Sequence, residues 1–194
     1  MNNEDFSCSL HGKEILQLGN FTLASGKKSK IYFDLRLLIS YPRLMNFAAN
    51  KMSGLLDGLR CDLLAPVPLA GIPIATTIQT QTQIPMIMIR PSVKDHGTKK
   101  RIEGKFKKGQ RVVLIDDLIT TAKSKLEAID ILESEGLEVA DVIVLIDREQ
   151  GGREALEERN YNLHSLLVMD DILRDLLSNG RLTLVEHDDI KESL

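Results

Sequence analysis

The chain has 194 residues, 43% hydrophobic and 27% charged, with a formal net charge of −3, which suits one domain with a real core. That mildly acidic balance gives no reason to expect nucleic acid as a partner. Two cysteines, Cys8 and Cys61, are too few for a disulfide framework and lack metal-ligand spacing, which favours reduced thiols in a cytoplasmic setting.

The first 19 residues show no basic region followed by an apolar one, so they do not read as a secretory signal. The longest aliphatic run, Val142–Ile146, falls far short of the ~20 residues of a membrane helix, and no membrane partner is expected. Residues 21–36 (FTLASGKKSKIYFDLR) read as a hairpin turning at Ser25-Gly26. Residues 42–59 read as a helix, with proline where a first turn tolerates it. Residues 61–68 then give a strand, 70–82 a helix with Pro73 in its first turn, and 84–89 a second strand. Residues 90–110 are polar, basic and nearly free of apolar periodicity. A loop of that length is uncommon in a compact domain unless functional or disordered, although a solvated charged surface segment also fits. Val112–Ile115 and Val142–Ile146 read as buried strands and 163–169 as another. In 124–136, Leu126, Ile129, Ile131 and Leu132 make a helical face, and Gly136 is a natural stop. The acidic tail, 186–194, reads as fraying. Alternating strands and helices predict an α/β fold with a central, mostly parallel sheet flanked by helices, formed as a single domain over residues 1–194.

One stretch asks for more than packing. In VVLIDDLITTAKS, Val112–Ser124, a buried strand runs into Asp116 and Asp117 and then into the start of a helix. Open α/β sheets bind ligands at the carboxyl ends of their strands. Main-chain amides at a helix N-terminus suit a phosphate, and Thr120, Thr121 and Ser124 add hydroxyls. The two carboxylates would repel phosphate but suit sugar hydroxyls or a developing positive charge. A sugar phosphate meets both demands; a helix cap or a turn fits the same spacing. A G-x-x-x-x-G-K-[ST] loop is absent, which disfavours a P-loop nucleotidase.

These residues also carry a resemblance. VVLIDDLITTAKS is similar to the phosphoribosyl diphosphate (PRPP) motif of type I phosphoribosyltransferases. FTLASGKKSKIYFDLR, VKDHGTKKRIEG and VLIDREQGGRE resemble, in order, the N-terminal segment, the mobile loop and the base-side segment of orotate phosphoribosyltransferases, closest to the transferase half of UMP synthases. The resemblance implies the type I fold, with a small N-terminal hood over 1–40 and a mobile loop over 90–110. It implies transfer of phosphoribose from PRPP to orotate in pyrimidine (UMP) biosynthesis, with Mg²⁺ carried mainly on PRPP. Asp116 and Asp117 would stabilise the cationic sugar and hold its hydroxyls, while Thr120, Thr121, Ala122, Lys123 and Ser124 would hold the 5′-phosphate. Arg148 would pair with the orotate carboxylate, and Tyr32 and Phe33 match an aromatic pair near the base. Arg90, Lys94 and His96 match diphosphate contacts, with Lys94 and His96 grouped with the acids as catalytic. A homodimer is implied, and an orotidine monophosphate decarboxylase is a further partner to test.

Departures from the family pattern keep two alternatives open: a weakened relative that binds PRPP or a nucleotide, and a transferase for another base. Ala24 and Pro91 stand where the family usually has lysine, and Leu69-Ala70 where it has tyrosine followed by lysine or a small polar residue. Ala122 stands where it has glycine, a change that matters only if that residue needs a positive φ or very close phosphate approach.

Overall fold

The structure is a computed structural model and describes residues 1–22, 26, 28–90 and 101–193. Helix α1 (Asn3–Gly12) is followed by a hairpin of β1 (Leu16–Thr22) and β2 (Lys28–Phe33). The predicted hairpin is thus present, and it starts five residues earlier than the sequence suggested, at buried Leu16. Its turn at Ser25 lies outside the described residues. A 3-10 turn over Leu35–Ser40 leads into α2 (Pro42–Gly54), which opens on proline as expected.

Next come β3 (Leu63–Pro66), α3 (Gly71–Thr82), β4 (Met88–Ile89), β5 (Ile102–Glu103) and β6 (Arg111–Ile119). The chain continues through α4 (Lys123–Ser134), β7 (Glu138–Asp147), α5 (Gly152–Glu157), β8 (Asn162–Val168), α6 (Met169–Ser178) and α7 (Leu184–Glu192).

The central sheet has the order β3-β6-β7-β8, and every pairing in it is parallel. Its strands are apolar nearly throughout because both faces are covered. Val113, Ile115, Ile143 and Leu145 pack into one cluster with residues of α1, α2, α3 and α6. Their neighbours Val112, Leu114, Val142 and Val144 point the other way, into a cluster with Ala128, Ile129 and Leu132 of α4 and Leu156 of α5. Period-two alternation within each run feeds two cores at once.

Two segments carry more regular structure than their composition suggests. The acidic tail enters helix α7, where Thr183 forms a reciprocal capping box with Glu186, Ile190 is buried, and Lys191 is ion-paired with Asp170. The described part of the 90–110 loop contributes a short strand. Ile102–Glu103 pair antiparallel with Met88–Ile89, and Ile102 is buried.

Candidate active site

Strand β6 does not stop at its two acids. It stays paired with β7 through Asp116↔Val144, Leu118↔Ile146 and Ile119↔Asp147. The carboxylates therefore sit on a strand, held by its ladder, and alternation turns them to opposite sides. Asp116 is 4% exposed and faces α3. There, a Cβ on Gly71 would lie 2.8 Å from the Ile115 carbonyl oxygen and 3.3 Å from Asp116 Oδ1, so only glycine admits the helix this close.

The expectation that both acids offer themselves to a sugar divides here. Asp116 Oδ2 lies 2.6 Å from Nζ of Lys125, a residue only 5% exposed, and Asp116 Oδ1 accepts the Asp117 N–H at 2.8 Å. Asp117 is half-buried and has no cation partner among the described residues. Burial, followed by the nearby Asp116 charge, pushes its pKa up to about 8. Within Coulombic reach lies Arg36, clamped by both Asp34 oxygens at 2.7 and 3.0 Å.

After Ile119 the chain turns through Thr120 and Thr121 into α4, capped by Ala122 at φ +61°. The first intrahelical bonds run from Lys125 N and Leu126 N to Ala122 O, at 2.9 and 3.0 Å. The amides of Lys123 and Ser124 precede them and belong to the unpaired first turn, the feature that makes such a terminus an anion cradle. Thr121, Lys123 and Ser124 are exposed around it, and Thr120 is half-buried.

The β7–α5 loop closes the other side. A Cβ on Gly152 would lie 2.4 Å from the Thr120 carbonyl oxygen, so glycine lets the two loops touch. The Arg148 N–H donates to the Ile119 carbonyl at 3.0 Å. The Arg148 side chain is 3% exposed, lies over the Phe33 ring at 5.9 Å from its centroid, and donates from Nη2 to Ser29 Oγ at 3.3 Å. Its Nε is buried without an acceptor, and among the described residues no carboxylate pairs with it. Buried Asp147 next door is already occupied by the Glu149 N–H and Arg153 Nη2, and burial pushes the Arg148 pKa down.

The structure thus gathers Asp117, the 120–124 loop, Arg148 and Phe33 at one end of the sheet. The expected aromatic pair separates: Phe33 lies under Arg148, whereas Tyr32 alternates to the other side, stacked on Phe21 with ring centroids 5.4 Å apart. Arg90 is ion-paired with Glu103 at 2.6 Å. It lines an open cavity of about 840 Å³ with Pro68, Leu69, Arg101 and Ser124, and the Pro68–Leu69 peptide is cis. Lys94 and His96, with Ala24 and Pro91, lie outside the described residues. Sequence reasoning did not single out Lys125, which sits between Ser124 and Leu126 with no local pattern to mark it.

Residues 42–166 match the phosphoribosyl transferase domain family. The orotate phosphoribosyltransferase of Methanopyrus kandleri is 38% identical over 184 residues, 93% of this chain and 98% of that protein. The bifunctional enzyme PyrF/PyrE of Nostoc is 37% identical across 92% of this chain, which spans only 37% of that longer protein. In three dimensions the chain is similar to Leishmania donovani UMP synthase, with a TM-score of 0.90 at 35% identity, covering 99% of this chain and 42% of that one. A parallel sheet carrying an acid pair near the end of β6, a helix start with unpaired amides and a buried arginine thus coincides with likeness over most of the chain: the chain belongs to the phosphoribosyltransferase family.

Proposed function

We propose that this chain is an orotate phosphoribosyltransferase, which joins orotate to PRPP and releases diphosphate and orotidine 5′-monophosphate. The observation that carries this reading is Arg148, a buried guanidinium beside the acid and the helix start, with no carboxylate partner among the described residues. A buried unpaired charge is costly. A planar substrate carboxylate would satisfy it with two parallel hydrogen bonds, and the Phe33 ring gives the flat base a wall. The close relatives named as orotate phosphoribosyltransferases support the same choice.

In this reading the 5′-phosphate rests on the amides of Lys123 and Ser124 and on the hydroxyls of Thr120, Thr121 and Ser124, against the positive end of α4. The C–N bond forms from the base nitrogen to the anomeric carbon as the C–O bond to diphosphate breaks, and the proton of that nitrogen leaves to the diphosphate or to solvent. The sugar passes through a cationic state, and Asp117, ionised, stabilises it. Arg90 and Arg101 line the cavity in which the diphosphate would lie, and they supply positive charge there. Arg101 keeps a buried Nε without an acceptor among the described residues.

Among the described residues no cluster of three or more metal-ligating side chains occurs. In this reading Mg²⁺ arrives on PRPP. Bound in that way, the ion would neutralise charge on the departing diphosphate. A homodimer and a cytoplasmic setting belong to the same reading, and a decarboxylase remains a proposed partner, since relatives include a uridine 5′-monophosphate synthase.

Loss of orotate absorbance in the presence of PRPP and Mg²⁺ tests the assignment. Turnover is expected. Binding of PRPP with no turnover of any base would instead establish the weakened relative, and turnover of another base but not of orotate would remove Arg148 from its role.

A further inference from the structure

The Lys125 ammonium makes three contacts that span the whole acid-and-phosphate loop. It lies 2.6 Å from Asp116 Oδ2 on β6, donates to the Leu118 carbonyl two residues later, and sits 3.4 Å from Ser124 Oγ in the first turn of α4. An ammonium has three donors and no acceptor, so these contacts use its full capacity. A residue serving only to pack this helix onto the sheet would need no charge, since buried ion pairs are often replaceable by apolar groups. Here the charge sits behind a second carboxylate that no cation pairs among the described residues.

We propose that Lys125 is a positioning residue of the proposed sugar-phosphate site: its ammonium ties Asp116 to the start of α4, so that Asp117 alone presents charge to the sugar and the 120–124 loop keeps its spacing. The inference rests on the reading of this site given above. The charged groups facing Asp117 are Asp116 on its own strand, Lys125 from α4 and Arg36 after β2. Asp116 raises the Asp117 pKa and Lys125 lowers it. Removing the ammonium leaves two neighbouring carboxylates, and they cannot easily ionise together.

Lys125→Met and Lys125→Arg test this, each read in two ways. In substrate-free protein, the Asp117 side chain is titrated by carboxyl-carbon NMR. With PRPP, Mg²⁺ and orotate, kcat and KM are measured across pH. Lys125→Met is expected to titrate Asp117 at higher pH than wild type, to move the acidic limb of kcat/KM the same way, and to lower kcat by about 10- to 100-fold, the loss of one charge-assisted contact. Lys125→Arg should recover most of both. A folded Lys125→Met with wild-type titration and an unmoved pH limb would overturn the proposal. If that variant does not fold, Lys125→Met with Asp116→Asn removes both charges. Asp117 should then titrate below its wild-type pH while kcat stays depressed, because the tether is lost; wild-type kcat there would overturn the proposal equally. Failure of wild-type protein to bind PRPP sinks the reading of the site instead, and the substrate-free titration still decides what Lys125 does to Asp117.

Discussion

The two ends of the central sheet treat charge in opposite ways. At the amino end, Arg111 lies 3.5 Å from Glu138, its N–H donates to Asp62, and Asp141 accepts from both His164 Nε2 and Asn162 Nδ2. These charges and polar groups answer one another with no ligand. At the carboxyl end, Arg148 is buried without a counter-ion among the described residues, and the Asp117 carboxyl is driven far from its usual range by burial and a like charge. Such frustration costs stability, and a sequence keeps it where a ligand will relieve it. Both ends have open cavities, lined by Arg60 and Arg111 at one and by Arg90 and Leu69 at the other. Unbalanced buried charge, more than cavity shape, separates the candidate site from the scaffold.

The largest effect should come from balancing the charge at Asp117. Asp117→Asn keeps the shape but offers no anion to a cationic sugar, and kcat should fall by about 10²- to 10³-fold, the scale of losing one preorganised electrostatic group. Initial-rate assays check this, and near-normal turnover would break the contrast between the two ends. The same variant has a pH signature in stability. The folded state holds the Asp117 proton more tightly than the unfolded chain does, because its pKa rises to about 8. The group therefore contributes stability that is fully present below pH ~4 and fades as pH climbs through the folded value. Melting curves from pH 5 to 9 should show Asp117→Asn gaining on wild type as pH rises. Asp116→Asn behaves differently: it strands the buried Lys125 ammonium and should cost about 3–5 kcal/mol of stability, so the two acids are not equivalent targets.

Arg148→Met comes next and separates function from stability by sign. It should raise the KM for orotate by about 10- to 100-fold, the value of a charge-assisted contact, while raising the melting temperature, because an unpaired buried charge gives way to an apolar chain. A drop in stability with orotate binding unchanged would place Arg148 among the scaffold charges, like Arg111.

The contrast also shows what sequence can and cannot display. Strands β3, β6, β7 and β8 were legible because apolar runs bounded by turns have few other uses, and the acid pair stood out against that background. The extent of β6 was not legible: whether a chain stays extended past two carboxylates depends on β7 offering partners as far as Asp147. Helix α7 carried a readable signal, the T-x-x-E pattern at Thr183 and Glu186, which the acidity of the tail obscured. Lys125 carried none, because no local pattern distinguishes a lysine facing water from one turned back under its own helix onto a carboxylate. Arg148 was legible as a residue but not as an unpaired one, since the absence of a counter-ion is a property of the packed whole.

The smallest expected effect concerns Ala122. The helix-capping residue holds φ at +61° and is 2% exposed, the situation in which alanine in place of glycine was expected to matter. Left-handed backbone costs an L-residue roughly 1–2 kcal/mol. Against that, glycine loses more freedom on folding, by roughly 0.5–1 kcal/mol. Ala122→Gly should therefore stabilise the protein by about 0.5–1 kcal/mol, measurable as a raised urea midpoint with an unchanged slope. The loop already adopts the required turn with alanine in place, so turnover should change little. A several-fold gain in PRPP affinity would carry a different message: the methyl group, rather than backbone strain, would then be what holds the phosphate away from the amides of Lys123 and Ser124.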